Sequence, residues 1–538
     1  MAVGQARSMA LHGLDGMLVT VECDLGRGLP GVSVVGLGDA AVVQARDRIR
    51  AAMLNSTLPW PKSKVVMSLS PADVKKEGSS YDLAMVASIL AAQGLSQPGL
   101  ELLSDTVVVG ELGLDGTVRA VAGVVPMILS AQRRGMSRIV IPEENLPDAQ
   151  QLVDVVAGLD ILAVGSLKEF HAWLRGSGSI VPVSKPVGAL TPDSGHGARD
   201  EEVDMADIVG QAEARRALEI AAVGGHAIML TGPPGSGKSM LAERLPTILP
   251  PLSATEQVEA AAIHSIAGGR GDLGPIWAGV RPFVAPHPSV TQAALVGGGP
   301  NLQPGAISLA HHGVLFLDEA AETRSGVLDC LRIPMESRRV EIARARRSVS
   351  YPAGFQLVMA ANPCRCGAED PSMCTCSSTD RRRYYARVSG PIRDRIDVFA
   401  QTRRQRLIGQ QFPVSAQATA TSGADSGEGR AESSAVVAER VAQARERSHH
   451  RWRKLDLGEA VTNATIPGRL LRSECAASFE GMVALQEAYA SGALSQRGVD
   501  RALRVAWSLA DLAGVARPGV GEVLDAAELF SDTEEVPA

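Results

Sequence analysis

The chain has 538 residues, 45% of them hydrophobic and 21% charged, which is the balance of a folded protein and a length for roughly three or four domains. Its formal net charge of −6 gives no global attraction to nucleic acid, so any such binding must come from local basic patches. No run of 18 or more apolar residues occurs, and the first sixteen lack a charged-then-apolar leader pattern; a cytoplasmic protein without membrane spans is expected.

In chain order, short β-branched runs at 18–21, 32–35, 64–69 and 106–109 alternate with Ala-rich helical stretches from Ala10 to about Leu174. This predicts an α/β domain, assigned to 1–175. Residues 176–203 turn to Gly, Ser, Pro and Asp, the composition of a flexible linker. A second α/β block follows at 204–411, then an Ala/Ser/Gly/Thr-rich stretch, 412–435, expected to be a disordered insert. Helical spacing without strand-like alternation predicts a helical lid over 436–529, and 530–538 form an acidic tail.

The second block carries the clearest chemistry. After the apolar strand candidate 227–230, Gly232-Pro233-Pro234-Gly235-Ser236-Gly237-Lys238-Ser239 matches G-x-x-x-x-G-K-[ST], and Met240 and Leu241 open a helix. Glycines let the loop wrap so that backbone N–H groups face a phosphate, Lys238 supplies a compact cation, and the Ser239 hydroxyl can ligate Mg2+. The order strand, loop, helix argues against a bare glycine turn. Downstream, the run 314–317 ends in Asp318-Glu319, where the first carboxylate can hold the Mg2+ shell and the second can polarise water. A third strand candidate, 357–361, ends in Asn362, a neutral amide suited to orienting that water; an Asn-Pro turn is the plainer alternative.

Seven cysteines include one cluster. Cys364, Cys366, Cys374 and Cys376 form two Cys-x-Cys pairs flanking a polar loop, four thiolates able to close a tetrahedron around a structural Zn2+. Free thiols or an iron–sulfur cluster are the alternatives, and a disulfide framework is not expected.

Several stretches resemble a known family. Arg281-Pro282-Phe283, Ala285-Pro286-His287, Ala294 through Gly299 and His311-His312-Gly313 resemble the magnesium-chelatase-type AAA+ module. Lys75 through Leu83 and Gly110 through Gly116 resemble the leading domain of the YifB/ComM family. The fold this implies is multidomain α/β: a Lon-protease-domain-like N-terminal α/β domain, a P-loop AAA+ α/β/α core and a C-terminal helical lid. The activity it implies is ATP-dependent: a hexameric ring helicase promoting DNA branch migration in recombination or natural transformation. The implied cofactors are ATP and Mg2+. The implied partners are single-stranded or branched DNA, further copies of the chain and a recombinase. A chelatase-like remodelling subunit, acting on a protein or metal-insertion partner, is the alternative.

The same resemblance implies roles for single residues. A hairpin near 340–351 and a helix-two insert would line a central pore, and Arg338, Arg339, Arg344, Arg346 and Arg347 cluster there; a solvated charged face is the alternative. Arg395 stands where related ATPases carry the arginine finger, with Arg393 competing. Arg497 is the first choice to sense the γ-phosphate and Arg501 the second. Ser80 falls at the nucleophile position of the Lon-type domain, but Met127 stands where the lysine base is sought. A thioether accepts no proton, so no peptidase activity is expected.

Overall fold

The computed structural model describes residues 3–26, 28–35, 40–71, 76, 78–185, 203–267, 272–344, 347–369, 371–404, 432–458 and 461–530. Arg346, most of the expected linker and insert, and the acidic tail from 531 onward lie outside them. No described helix is long and apolar enough to cross a membrane.

The leading part is a seven-stranded sheet: β1 (Gly4–His12), β2 (Asp15–Gly26), β3 (Gly31–Val35), β4 (Lys64–Ser70), β5 (Thr106–Val108), β6 (Arg138–Pro142) and β7 (Asp160–Val164), in spatial order β3-β4-β2-β1-β5-β6-β7. β1 and β2 form an antiparallel hairpin, β2 runs antiparallel to β4, and the outer pairs are parallel. β1 begins ahead of the expected start at Ala10. Its inward residues include Ala6, Ser8 and Ala10, too small to stand out as an apolar run. Helix α1 (Ala40–Asn55) sends Arg48 onto Asp82 of α2 (Asp82–Ala92), with Nε–Oδ2 at 2.9 Å and Nη2–Oδ1 at 3.1 Å. Nearly all of α2 is buried, as a helix apolar on every face must be, and its one charge, Asp82, is paired with Arg48. Past 175 the chain does not leave at once: Val183 N–H donates to Ile161 O at 2.7 Å and Lys185 pairs with Asp154, so the first part of the expected linker stays on the sheet.

Helix α3 (Val124–Arg133) of this sheet meets the second block. The second block contains α4 (Ala212–Gly224), α5 (Lys238–Ile248), α6 (Ala254–Ile266) and five parallel strands. These are β8 (Ile228–Thr231), β9 (Phe283–Val284), β10 (Val314–Leu317), β13 (Gln356–Ala361) and β14 (Val398–Gln401), in order β9-β10-β13-β8-β14. Between β10 and β13 stands the hairpin β11 (Arg339–Arg344) and β12 (Arg347–Pro352), as expected near 340–351. Val125 and Ile128 of α3 share one apolar cluster with Ala260, Ala261 and Ile276, and Gly123 N–H donates to Ser265 O at 2.8 Å. Gly123 has φ +78 and a Cβ there would lie 2.3 Å from Leu11 Cδ1, so glycine is required at this seam.

A helix α7 (Ser378–Tyr385) precedes β14, and the chain ends in α8 (Ser434–Lys454), α9 (Phe479–Ala490), α10 (Gln496–Ala513) and α11 (Val520–Phe530). α8 starts two residues ahead of the expected lid, because Ser434 is bound into the core: its N–H donates to Asp204 Oδ1 at 3.0 Å and its hydroxyl accepts from Met205 N–H at 2.8 Å. Deeper in, His226 Nδ1 lies 3.0 Å from Asp397 Oδ2 and its Nε2 lies 2.8 Å from Ser508 Oγ. Asn463 continues the chain of bonds to Ser508 and Asp511. Such a buried set, with each polar group satisfied, fixes the lid on the core.

α6 also faces the sheet. Its Glu259 meets His312 Nε2 at 2.6 Å and His311 Nε2 at 3.4 Å, immediately before β10. His311 Nδ1 accepts from Gly354 N–H at 2.9 Å, so in the neutral ring the proton sits on Nε2 and points at the carboxylate. Hydrogen bonds from His311 and His312 hold the Glu259 carboxyl below the usual range, and burial lowers the His311 pKa. Both groups are depressed in the folded state, so the unfolded chain binds more protons in acid. The stability held by the Glu259 carboxylate is therefore present above the ordinary carboxyl value of 4.5, and that held by the neutral His311 ring above 6.5, and each is lost as pH falls through its window. Thermal unfolding followed from about pH 8 to about pH 2 should show this loss, and Glu259→Gln should remove the part of it that falls below about pH 4.5; the same fall in both proteins below that pH would contradict the assignment.

Candidate active site

β8 runs into the loop 232–237 and α5 begins at Lys238, the order expected from the sequence. Register makes the site. Thr231 pairs with Ala361 on one side and Gln401 on the other, while Leu317 pairs with Met359, so the C-terminal ends of β8, β10 and β13 lie together. Ligands of parallel α/β sheets gather at that edge. Gly232, Asp318 and Asn362 each follow a strand end there.

Gly232 is required by close approach: a Cβ would lie 2.1 Å from Thr402 Oγ1 and 2.3 Å from Thr402 O. Gly235 and Gly237 have φ of +76 and +88, with open space where their Cβ atoms would stand. Ser236 Oγ meets Thr402 Oγ1 at 2.6 Å. Lys238 is buried, and its ammonium donates to Gly232 O at 2.8 Å, Pro233 O at 2.9 Å and Asn362 Oδ1 at 3.1 Å. Burial lowers its pKa, against the opposing charges of Asp318 and Glu319. Ser239 Oγ donates to Asp318 Oδ2 at 2.8 Å, and Asp318 Oδ1 accepts from the Glu319 N–H at 2.8 Å. Glu319 is exposed, with φ +48, a left-handed conformation that a non-glycine residue holds only when its surroundings impose it. Together, residues 234–240, Asp318, Glu319, Ala361 and Asn362 line a cavity of about 370 Å3.

Comparison with known proteins places this arrangement. Family models described as magnesium chelatase, subunit ChlI, match residues 204–408 and 21–145, and a model of its C-terminal part matches 431–529. The chain is 47% identical over 524 residues to an uncharacterized protein of Mycobacterium tuberculosis, covering 97% of each. It is 36% identical over 512 residues to YifB of Escherichia coli, covering 95% of this chain and 94% of the relative. It is 34% identical over 527 residues to the competence protein ComM of Haemophilus influenzae, covering 97% of each. The chain belongs to the YifB/ComM magnesium-chelatase-like family. A shorter stretch of 165 residues, 29% of this chain, is 29% identical to a Lon protease of Mycolicibacterium smegmatis and covers 21% of it. A magnesium-chelatase-like AAA+ module implies ATP and Mg2+, and the paired oxygens of Ser239 and Asp318 suit a hard cation.

Other expected residues stand elsewhere. Arg395 is outside the cavity, half-buried, with one guanidinium nitrogen on Glu336 and another on Pro391 O. Arg497 is exposed on the first turn of α10, also outside the lining. Arg501 is buried and donates to Ile396 O at 2.8 Å and Arg393 O at 3.1 Å, which ties α10 to the segment holding Arg395. Arg339 and Arg344 are exposed on the hairpin, while Arg347 turns toward the leading domain, where it shares a cavity of about 810 Å3 with Ser79, Ser80 and Met127. Ser80 and Met127 thus face one space, as the resemblance to Lon implies.

The four cysteine sulfurs all lie within 4.8 Å of one another. Cys364 is 3.2 Å from Cys366 and 3.5 Å from Cys374, and Cys366 is 3.6 Å from Cys374. A disulfide needs about 2.05 Å. The edges of a ZnS4 tetrahedron are about 3.8 Å, given Zn–S near 2.3 Å. The Ala368 N–H, Cys364 and the Thr375 N–H pull the Cys366 thiol down to about 5, while burial and the neighbouring sulfurs push that of Cys364 up to about 12. This donor set fits a thiophilic metal held by thiolates.

Sequence reading passed over Thr402, Gln211 and Arg404. Gln211 Nε2 donates to Ser236 O at 3.1 Å, and Arg404 Nε donates to Pro234 O at 3.0 Å. Thr402 and Arg404 follow β14 and Gln211 precedes α4; all three support the loop, and nothing in their local sequence signals it. Gly232→Ala should displace the loop, abolish binding of a fluorescent nucleotide and lower the thermal midpoint more than Gly326→Ala, whose Cβ meets nothing within 4 Å. Equal effects of the two substitutions would refute the role given to the Thr402 contact.

Proposed function

We propose that this chain is the subunit of an ATP-driven ring motor that moves single-stranded or branched DNA, in recombination or natural transformation. One observation carries the reading: a hydroxyl, a carboxylate, an ammonium and a neutral amide converge on one cavity. Ser239 Oγ sits 2.8 Å from Asp318 Oδ2, and Lys238 Nζ sits 3.1 Å from Asn362 Oδ1. That is the set a triphosphate needs. The similarity to the competence protein of Haemophilus influenzae supports placing the work on DNA.

In this reading the N–H groups of residues 235–239 cup the phosphates, and Lys238 exchanges the loop carbonyls for phosphate oxygens. Ser239 and Asp318 hold Mg2+, which when bound offsets charge on the phosphate oxygens. Glu319, carried into the cavity by its left-handed turn, takes the proton of the attacking water, and Asn362 orients that water. Arg395 leaves Glu336 to complete a neighbouring subunit's site, which requires a homo-oligomeric ring, a hexamer by family expectation. Arg497 reports the γ-phosphate from the lid. Arg339 and Arg344 grip DNA phosphates from the hairpin. The four cysteines hold a structural Zn2+ in a reducing, cytoplasmic setting, and the leading domain serves as a platform without peptidase chemistry.

ATPase rate measured against single-stranded, duplex and four-way DNA over a salt series tests the proposal. Stimulation should fall steeply with salt. Lys238→Ala should lose nucleotide binding; Glu319→Gln should keep it and slow hydrolysis by about 100-fold or more. Arg339→Ala with Arg344→Ala should lower the salt slope by about 2 while leaving the DNA-free rate unchanged. Hydrolysis indifferent to every DNA, with no movement of a four-way junction, would sink the DNA reading. Chelation of a metal into a tetrapyrrole with partner subunits would then favour the remodelling alternative, which the family descriptions name.

A further inference from the structure

The cysteine loop is not a remote ornament of the core. Gly367, the residue after Cys366, has φ +67, and a Cβ on it would lie 2.6 Å from Pro234 Cδ and 2.7 Å from Pro234 Cγ. The backbone of the cysteine knuckle therefore lies close against the ring of Pro234 in the phosphate loop. Gly367 N–H donates to Cys364 O at 3.0 Å, which closes the knuckle at that contact. Arg404 Nε also holds Pro234 O at 3.0 Å, while the Arg404 N–H donates to Glu369 Oε1 of the cysteine loop at 3.0 Å. Pro234 is clamped between the cysteine loop and the segment after β14.

The chain leaving the cluster touches the other walls of the same cavity. α7 begins just past Cys376, and its Tyr384 lies against the Asn362 backbone, with burial pushing the phenol up to about 12. Two residues beyond α7, Arg387 Nη1 donates to Ala321 O at 3.1 Å and to Glu322 Oε2 at 3.0 Å, gripping the turn that follows Asp318-Glu319. One stretch, 364–387, thus contacts the phosphate loop, the amide and the carboxylate turn.

A short polar loop with four convergent sulfurs has little apolar surface to hold it. Ordering it costs backbone entropy, a cost that metal coordination offsets. Without a metal the knuckle gains freedom, Pro234 loses one of its two clamps, and nucleotide must then order the loop as it binds. Binding weakens by the fraction of loops already in place.

We propose that Zn2+ at Cys364, Cys366, Cys374 and Cys376 sets the nucleotide affinity of the phosphate loop, with the Gly367–Pro234 contact as the coupling element. This rests on the nucleotide and zinc readings above and adds that the two sites are thermodynamically linked. Linkage is reciprocal: if zinc tightens nucleotide, nucleotide tightens zinc by the same factor.

The test uses the full chain purified under reducing conditions, with zinc measured by atomic absorption and binding of a fluorescent ADP followed with excess Mg2+ before and after zinc removal. The expected results are about one zinc per chain and a loss of nucleotide affinity on the order of tenfold without it. ADP should slow zinc transfer to a colorimetric chelator, a measurement made on the loaded native protein that needs no variant. Pro234→Ala keeps all four cysteines and should shrink the difference between zinc-loaded and zinc-free affinities. Equal ADP affinity in both states and zinc release indifferent to ADP would overturn the coupling while leaving both sites standing. Absence of zinc from the purified chain would remove the metal assignment, and failure of the zinc-loaded chain to bind ADP would remove the nucleotide reading. Either result ends the proposal for its own reason.

Discussion

A buried ammonium at the end of a parallel sheet organises this protein. Lys238 has its charge out of bulk water and is satisfied by two carbonyls of its own loop and by the amide of Asn362 from another strand. A buried cation without partners would cost several kcal/mol, so loop, strand ends and amide must keep one geometry. Ser239 and Asp318 repeat the principle with opposite charge. The constraint reaches outward, because each of these side chains is where it is only if β8, β10 and β13 keep their register.

Helix α6 carries that order to the leading domain. One part of it takes up the apolar surface of α3, and Ser265 near its end receives the Gly123 N–H; its Glu259 meets the two histidines that open β10. β10 ends in Asp318-Glu319. A displacement of the leading domain would thus be felt at the base of the strand that carries the carboxylates. The lid is joined differently, through the buried bonds of His226 with Asp397 and Ser508 and through Arg501 on the carbonyls of 393 and 396. These hydrogen bonds give the lid a defined seat next to the segment bearing Arg395.

The cysteine loop shows how a structural element can lie close to chemistry without taking part in it. Its sulfurs face each other and its knuckle faces Pro234, so what the loop supplies to the cavity is shape. A glycine with φ +67 is the only residue type that allows the approach without strain.

Much of the site was legible in the linear chain. The phosphate loop is eight consecutive residues whose geometry is largely local, and Asp318 and Asn362 each end a run apolar enough to mark a buried strand. Other parts were not. β1 hides because its inward residues include Ala6, Ser8 and Ala10, and their burial is imposed by β2 and α2: a Cβ on Gly4 would lie 2.2 Å from Ser88 O. Thr402, Gln211 and Arg404 support the loop from positions 25 to 170 residues away in sequence. Local patterning and backbone chemistry, in short, determined the nucleotide loop, the carboxylate pair, the cysteine cluster and the succession of domains. Only the tertiary structure decided which residues press on the loop, where Arg395 and Arg497 stand, and that the cysteines abut Pro234, because those contacts depend on strand order and register, which no local segment encodes.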